Sequence, residues 1–332
     1  MKQEYSVKIN DKTVYETYVS KTRRLIESEL LKLVSNLSKL NLHSQIEYEV
    51  LSEGKRLRPL LTILSAESVG GNRDKVMSLA LAFELMHTAT LIHDDVIDQD
   101  EMRRGKPALH MQWSVNDAIL TGDALIALSV DLASGYGETI LKTVAQSALQ
   151  LCDGEHIDIT LSLRKATEEM YFRKIKEKSA SLFKAAAYCG ALAAGGSPLQ
   201  ASALASFGEN YGIAYQLRDD IQDIKHEGNM VSKDLKSARV TLPLIHMYLV
   251  SNAREKKQLE SGLRKAANNK GFIDSAFAEE ILLMLAQKHS VAYCEKKVNQ
   301  HLNAAITSLE PLRRTECRNY LCQMAEALKF KA

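Results

Sequence analysis

The sequence predicts an all-α protein built as a single large helical bundle, and three observations carry that prediction. Apolar residues recur with a period near 3.6 in every long segment between breaks. No stretch alternates apolar and polar residues with the β-branched enrichment of a half-buried strand. Only five prolines occur in 332 residues, and the stretches between them are rich in Ala, Leu, Lys and Glu, which are good helix formers. Breaks at Gly135–Gly137, Gly154, Gly195–Pro198 and Asn268–Gly271 divide the chain into roughly ten to fourteen helices. No linker, composition shift or internal repeat separates them. The expected organisation is a polar lead-in over residues 1–18 and one helical domain over residues 19–332.

From Thr22 to Leu40, Leu25, Ile26, Leu30, Leu31, Val34, Leu37 and Leu40 recur at helical spacing with charges between them, giving an amphipathic helix with one buried face. The stretch GKRLRP (Gly54–Pro59) sets Lys55, Arg56 and Arg58 ahead of Pro59 and a strongly apolar helix. Proline is tolerated in a first turn, where its missing N–H would be unpaired anyway. Cations at a helix N-terminus oppose the macrodipole, so these three are either simply solvated or waiting for an anion. The helix Lys75–Asp98 ends in Asp94, Asp95 and Asp98, with Arg103, Arg104 and a loop around Gly105 just beyond. Gly122 and Asp123 start another apolar helix. Glu168 to Gly190 reads as two consecutive helices meeting at Lys178–Ser179, where the serine could cap the second. Ser206 to Ile224 is a long helix ending in Asp219, Asp220 and Asp223; after a polar loop, TLPLIHMYLV (Thr241–Val250) restarts the core. The last hundred residues are amphipathic helices suited to packing and subunit contacts.

Composition narrows the function classes. Hydrophobic residues make up 45% and charged residues 25% of the chain, and the formal net charge is +2, so no global field argues for nucleic acid or a membrane surface. The five cysteines are scattered and form no C-x-x-C pair, which fits reduced thiols acting as small hydrophobes in a cytoplasmic protein. The N-terminus has no apolar core behind a basic segment, so no signal peptide is expected. No run of about 18 uncharged apolar residues occurs, so no membrane span is expected either.

The chemistry lies in a repeated D-D-x-x-D, at Asp94/Asp95/Asp98 and at Asp219/Asp220/Asp223. Residues i and i+4 of a helix lie about 40° apart, so the outer two acids of each motif share a face. Carboxylates stacked there repel one another, and the dipole disfavours them at a helix C-terminus. One such cluster is accounted for by a solvated helix end; two with identical spacing call for divalent cations. Oxygen ligands without His or Cys select hard ions, and Mg²⁺ characteristically binds one or two carboxylates plus substrate phosphate oxygens. Such ions could bridge a diphosphate that bare carboxylates would repel, and could stabilise its departure. The basic residues suggest phosphate sites of their own: Lys55 with Arg58, Arg103 with Arg104, and Lys178, Lys233 and Arg239 as a third group. His87, seven residues before Asp94 and on nearly the same face, is either a core histidine or a polar contact of that site. Below the acids, Leu91, Thr90, Ala89, Met86 and Phe83 form an apolar wall, as a long hydrocarbon ending in a diphosphate would need.

These features together resemble the all-trans isoprenyl (polyprenyl) diphosphate synthase family from about residue 20 to 325. The residues that carry the resemblance are GKRLRP (Gly54–Pro59), HTATLIHDDVID (His87–Asp98), RRGKP (Arg103–Pro107), Gly122–Asp123, KSASLF (Lys178–Phe183), YQLRDDIQD (Tyr215–Asp223) and KDLKSARVTLP (Lys233–Pro243). The resemblance implies a bundle around a central cavity, a homodimer, and a head-to-tail 1'-4 condensation of isopentenyl diphosphate with an allylic diphosphate. It implies that Asp94, Asp95, Asp98, Asp219, Asp220 and Asp223 hold Mg²⁺, about three ions in all. Lys55, Arg58, His87 and Arg104 would hold isopentenyl diphosphate. Arg103, Lys178, Ser179, Gln216, Lys233 and Arg239 would contact the allylic diphosphate, with Lys178 counted among the catalytic groups. Ser179 stands where the family usually has Thr. Ala238–Arg239 replaces the usual Gly-Lys, and Gly228, Asn229 and Met230 replace the usual Gly-Lys-Pro, which puts Arg239 and loop closure in question.

In this family, bulky residues four and five positions before the first Asp stop elongation. Here Thr90 and Ala89 are small, so the expected product exceeds twenty carbons, about five to eight isoprene units, with Met86 as the next floor. The alternatives are a geranylgeranyl or farnesyl diphosphate synthase, or a non-catalytic subunit of a heteromeric synthase. A silent subunit would have lost motif residues, and a terpene cyclase would have replaced the second D-D-x-x-D; neither change is present.

Overall fold

The structure, a computed structural model, describes residues 9–224, 239–268 and 275–330. Its elements in order are α1 (Ile9–Asn36), α2 (His43–Val50), α3 (Leu57–Ser68), a 3-10 turn (Arg73–Val76), α4 (Met77–Ile97), β1 (Met102–Arg103), β2 (Lys106–Pro107), α5 (Leu109–Gln112), α6 (Val115–Ser134), α7 (Glu138–Thr160) and α8 (Glu168–Ile175). A π-helical turn (Lys176–Ala180) leads into α9 (Ser181–Ala193). Then follow α10 (Pro198–Ile224), α11 (Leu242–Val250), α12 (Ala253–Asn268), α13 (Ser275–Gln287), α14 (Ser290–Ser308) and α15 (Glu316–Glu326). The all-α class holds, with one exception: the sequence offered no strand, yet β1 and β2 pair as a small antiparallel hairpin.

The residues sort into two compact units. The first comprises Met1–Leu149, Leu182–Gly208 and Ser308–Met324; the second comprises Gln150–Ser181, Glu209–Thr307 and Ala325–Ala332.

In the first unit α4 is the central rod. Its residues Leu81, Leu85, Ala89 and Ile92 join Ile26, Leu30 and Val34 of α1, Ile46 and Val50 of α2, Ile63 and Ala66 of α3, and Ala118 and Leu125 of α6 in one buried cluster. Helix α6 carries buried Ala118, Thr121, Gly122, Leu125, Ser129 and Ala133 at helical spacing, a mostly small stripe that allows close approach. The Ser129 hydroxyl donates to the Ala82 carbonyl at 2.8 Å across that contact. By length and composition alone, Arg73–Ile97 could cross a membrane, but 72% of its apolar window is buried inside the protein. Its apolarity is that of a helix covered on nearly every side.

Within the segment read as a lead-in over residues 1–18, α1 is helical from Ile9. Tyr15 and Tyr18 explain why a polar-looking segment is ordered. Their rings lie 5.8 and 4.7 Å from that of Tyr320. The Tyr18 hydroxyl donates to Glu67 at 2.5 Å, and Arg73 Nε donates to the other Glu67 oxygen at 2.6 Å.

In the second unit, the junction expected at Lys178–Ser179 is not a capped break but the π-helical turn. Gly154 is likewise not a break. It lies inside α7, where an added Cβ would stand 2.2 Å from the Lys178 backbone nitrogen, so only glycine lets α7 pass the π turn this closely. Helix α10 begins eight residues ahead of the expected Ser206, at Pro198. Of the five cysteines, Cys189 and Cys294 are buried, Cys317 and Cys322 half-buried and Cys152 exposed, all as free thiols.

Candidate active site

In the first unit the site is built on the C-terminal end of α4, the hairpin that follows, and the start of α3. Asp94 and Asp98 lie on one face, both half-buried, whereas Asp95 is turned inward and is 3% exposed. Arg103 Nε donates to Asp95 at 2.8 Å, its Nη2 donates to the same oxygen, and Asp100 lies 3.6 Å away. Burial works to lower the Arg103 pKa, but the hydrogen bond and charge of Asp95 raise it on balance. The hairpin separates the adjacent arginines. Met102 pairs with Pro107 and Arg103 with Lys106, leaving a two-residue turn in which Arg104 (φ 52°) and Gly105 (φ 78°) are both left-handed. That is the type I' geometry that matches strand twist. It turns Arg104 away from the acids, and its Nη1 donates to Ser52 at 2.9 Å.

At the start of α3, Lys55 is exposed and Arg58 half-buried, with its guanidinium stacked 4.4 Å over the Phe183 ring. Arg56 between them is not solvated. It is 4% exposed, pairs with the buried Glu84 at 2.8 Å and donates to the carbonyls of Val50 and Ser52. A buried pair of this kind is costly to break from either side, at about 3–5 kcal/mol. Burial holds the His87 imidazole well below its usual pKa, and the charges of Arg58, Arg104, Arg103 and Arg56 push it further down. Positive charge from four guanidinium groups therefore acts on His87. The Thr90 hydroxyl donates to the His87 carbonyl at 2.8 Å. Thr90 is half-buried on the Asp94 face, while Met86 and Ala89 are buried and Ala89 belongs to the apolar cluster around α4.

In the second unit, Asp219 at the end of α10 is exposed and Asp223 half-buried, while Asp220 is 5% exposed. Asp220 accepts from the Tyr171 hydroxyl at 2.6 Å and from Gln216 Nε2 at 2.8 Å. Ser179 Oγ donates to Gln216 Oε1 at 2.7 Å. Lys178, on the π turn, is gripped by Glu155 at 2.5 Å and Asp158 at 2.7 Å. Asp158 also pairs with Lys174 at 2.9 Å, and Lys174 donates to the Val240 carbonyl at 3.0 Å. Burial alone would raise the Asp158 pKa, but Lys174 and Lys178 together hold it well below the carboxylate range. Arg239 is half-buried. Lys233, and with it Gly228, Asn229, Met230 and Ala238, lies outside the described residues.

Sequence reasoning missed Glu155, Asp158 and Tyr171. The signal for the first two was present: an isolated glycine inside a helical pattern, followed directly by an acid and a second acid one turn on. Tyr171 gave none, because its partner lies 49 residues away.

The donor set fits Mg²⁺. Each half offers carboxylates without imidazole or thiolate, and among the described residues no three or more such ligands are already gathered at one point. A hard ion that takes one or two carboxylates and completes its shell with substrate oxygens and water needs no preformed cage.

The polyprenyl synthetase family profile matches residues 39–280. The chain is 30% identical over 316 residues to a short chain isoprenyl diphosphate synthase of Methanothermobacter thermautotrophicus, covering 92% of this chain and 95% of that one. It is 29% identical over 295 residues to the octaprenyl diphosphate synthase of Escherichia coli, covering 87% and 90%. Among solved structures, the polyprenyl synthase of Caulobacter crescentus CB15, complexed with calcium and isoprenyl diphosphate, superposes with a TM-score of 0.83 at 27% identity over 95% of this chain and 97% of that one.

Proposed function

Because this chain belongs to the polyprenyl synthetase family and is a prenyltransferase of the isoprenyl diphosphate synthase kind, we propose that it condenses isopentenyl diphosphate head-to-tail with an allylic diphosphate. The observation that carries the reading is the pair of acid clusters, each with its middle aspartate turned inward onto hydrogen-bond donors and its outer two aspartates sharing one helix face. Lys55, Arg58, Arg104 and His87 hold the isopentenyl diphosphate. Arg103, Lys178, Ser179, Gln216, Lys233 and Arg239 serve the allylic diphosphate. The hairpin supports this division of labour, since it sends Arg103 to Asp95 and Arg104 to Ser52.

The acid clusters, led by Asp94 with Asp98 and Asp219 with Asp223, hold Mg²⁺, which when bound neutralises charge developing on the leaving diphosphate. The cationic residues orient the allylic diphosphate while its C1–O bond breaks, giving an allylic cation and inorganic diphosphate. The isopentenyl group is held so that its double bond supplies the electron pair for the new C1–C4 bond. A proton is then lost from C2 to the released diphosphate, and a new double bond forms.

We assign a product beyond twenty carbons, on the small half-buried Thr90 facing the acids. Ala89, by contrast, is packed into the apolar cluster around α4, which favours a second reading, a geranylgeranyl diphosphate synthase. The enzyme acts as a homodimer, a reading supported by Val115, Ile119, Leu120 and Val130 of α6, all 37–54% exposed. The test is chromatography of the products formed by purified protein with Mg²⁺, isopentenyl diphosphate and each allylic primer in turn. Chains longer than twenty carbons support the first reading, and a twenty-carbon stop supports the second. No condensation by folded protein with any primer removes both.

A further inference from the structure

The middle acid of the second cluster is placed unlike its neighbours. Asp219 is exposed and Asp223 half-buried, whereas Asp220 is 5% exposed and has a hydrogen-bond donor on each oxygen. One donor is Tyr171, a side chain with no exposed surface whose single polar atom is spent on this contact. The other is Gln216, whose amide continues to Ser179. The direction of this chain of hydrogen bonds follows from chemistry. An ionised carboxylate only accepts, so Gln216 must present its NH₂ to Asp220 and its carbonyl to Ser179, and the Ser179 hydroxyl must donate. A fixed orientation at Asp220 therefore fixes the amide of Gln216 and the rotamer of Ser179. Ser179 stands beside Lys178 on the π turn, and π turns of this kind recur at functional sites. Both residues are thus held by side-chain partners: Lys178 by the half-buried Glu155 and Asp158, Ser179 by the chain that runs back to buried Tyr171.

We propose that Tyr171 is a positioning residue of the allylic diphosphate site. Acting through Asp220 and Gln216, it sets Ser179 on the π turn, and Asp220 serves this chain of contacts rather than presenting its carboxylate to a metal ion. The inference rests on the synthase reading above, in which Asp219 and Ser179 face the allylic diphosphate.

The experiment compares Tyr171→Phe, Asp220→Asn, Asp219→Asn and the double variant Tyr171→Phe/Asp220→Asn. Two readouts are taken: the thermal shift produced by inorganic diphosphate with Mg²⁺, and the separate KM values for allylic primer and isopentenyl diphosphate. Tyr171→Phe removes one oxygen from a buried ring and keeps the packing. It should raise the allylic KM, and the diphosphate needed for half the thermal shift, by about tenfold, with the isopentenyl KM within about twofold. Asp220→Asn should behave like Tyr171→Phe, and the double variant should be no worse than the worse single, because both act on one chain of contacts. Asp219→Asn should be far more severe, at about a hundredfold or beyond. Tyr171→Phe that lowers the melting temperature but leaves both KM values unchanged makes the tyrosine purely structural and overturns the proposal. Asp220→Asn as severe as Asp219→Asn makes Asp220 a ligand and also overturns it. Indifference of Asp219→Asn would instead remove the synthase reading of the cluster on which the proposal stands.

Discussion

Replacing Asp158 with asparagine should destabilise the protein and loosen its grip on the allylic substrate. Asp158 faces two ammonium groups, Lys174 at 2.9 Å and Lys178 at 2.7 Å. At an effective dielectric near 20, each contact is worth roughly 6 kcal/mol of gross attraction, most of it offset by the cost of desolvating the charges. The Lys174 side chain is only 8% exposed, and in the variant it would keep the Val240 carbonyl but face an amide in place of a charge. Breaking a fully buried pair costs about 3–5 kcal/mol. Asp158 is 18% exposed and its amide retains one acceptor, so the expected loss is roughly 2–3 kcal/mol.

The assay is urea denaturation followed by circular dichroism at pH 7.5 and at a series of lower pH values. The wild-type carboxyl is held well below its ordinary pKa by the two lysines, against the opposing effect of burial. A depressed carboxylate contributes stability that is present above its unfolded value, about 3.9, and lost as pH falls through its folded one. The gap between wild type and variant should therefore shrink as pH falls below about 4. With Lys178 left to Glu155, kcat/KM for the allylic primer should drop about tenfold. A variant within about 0.5 kcal/mol of wild type at pH 7.5, or a gap that acid does not close, would refute the reasoning.

Three further outcomes follow from the same geometry. Gly154→Ala places a methyl group 2.2 Å from the Lys178 backbone; it should cost about 1–3 kcal/mol or more by overpacking and should lower kcat with it, as melting and turnover measurements would show. Burial first, and then the charges of Arg58, Arg104, Arg103 and Arg56, depress the His87 pKa, and a bound diphosphate offsets only the charges. The KM for isopentenyl diphosphate should therefore carry no His87-dependent slope above the usual histidine value of about 6.5 and should fall only as pH is lowered below it; that slope should vanish in His87→Gln. Thr90→Phe should shorten the product with little loss of stability, whereas Ala89→Phe should cost about 1–3 kcal/mol by crowding the α4 cluster. Product chromatography alongside thermal melting separates the two.

Much of the fold was legible because helical periodicity is local. The core face of α1, the apolar rod of α4 and the two acid-tipped helix ends could all be read from spacing alone. The sequence could not say which acid of each triplet turns inward. That depends on Arg103 reaching back to Asp95 and on Tyr171 reaching across 49 residues to Asp220. Arg56 looked like one of three equivalent cations, yet a left-handed φ of 50° turns it into the core beside Glu84. Gly154 looked like a break because a glycine at a helix crossing and a glycine ending a helix are the same letter. The polar start of α1 read as a lead-in because the apolar surface it packs on is Tyr320, near the opposite end of the chain.

The most direct test of the central claim is stoichiometry. Purified protein, Mg²⁺, an allylic primer and labelled isopentenyl diphosphate are mixed, and diphosphate released is counted against isopentenyl units incorporated. One diphosphate should be released for each unit added, and none without isopentenyl diphosphate. Diphosphate released from the allylic primer alone would mark a cyclase, and incorporation that departs from a one-to-one ratio would contradict head-to-tail condensation.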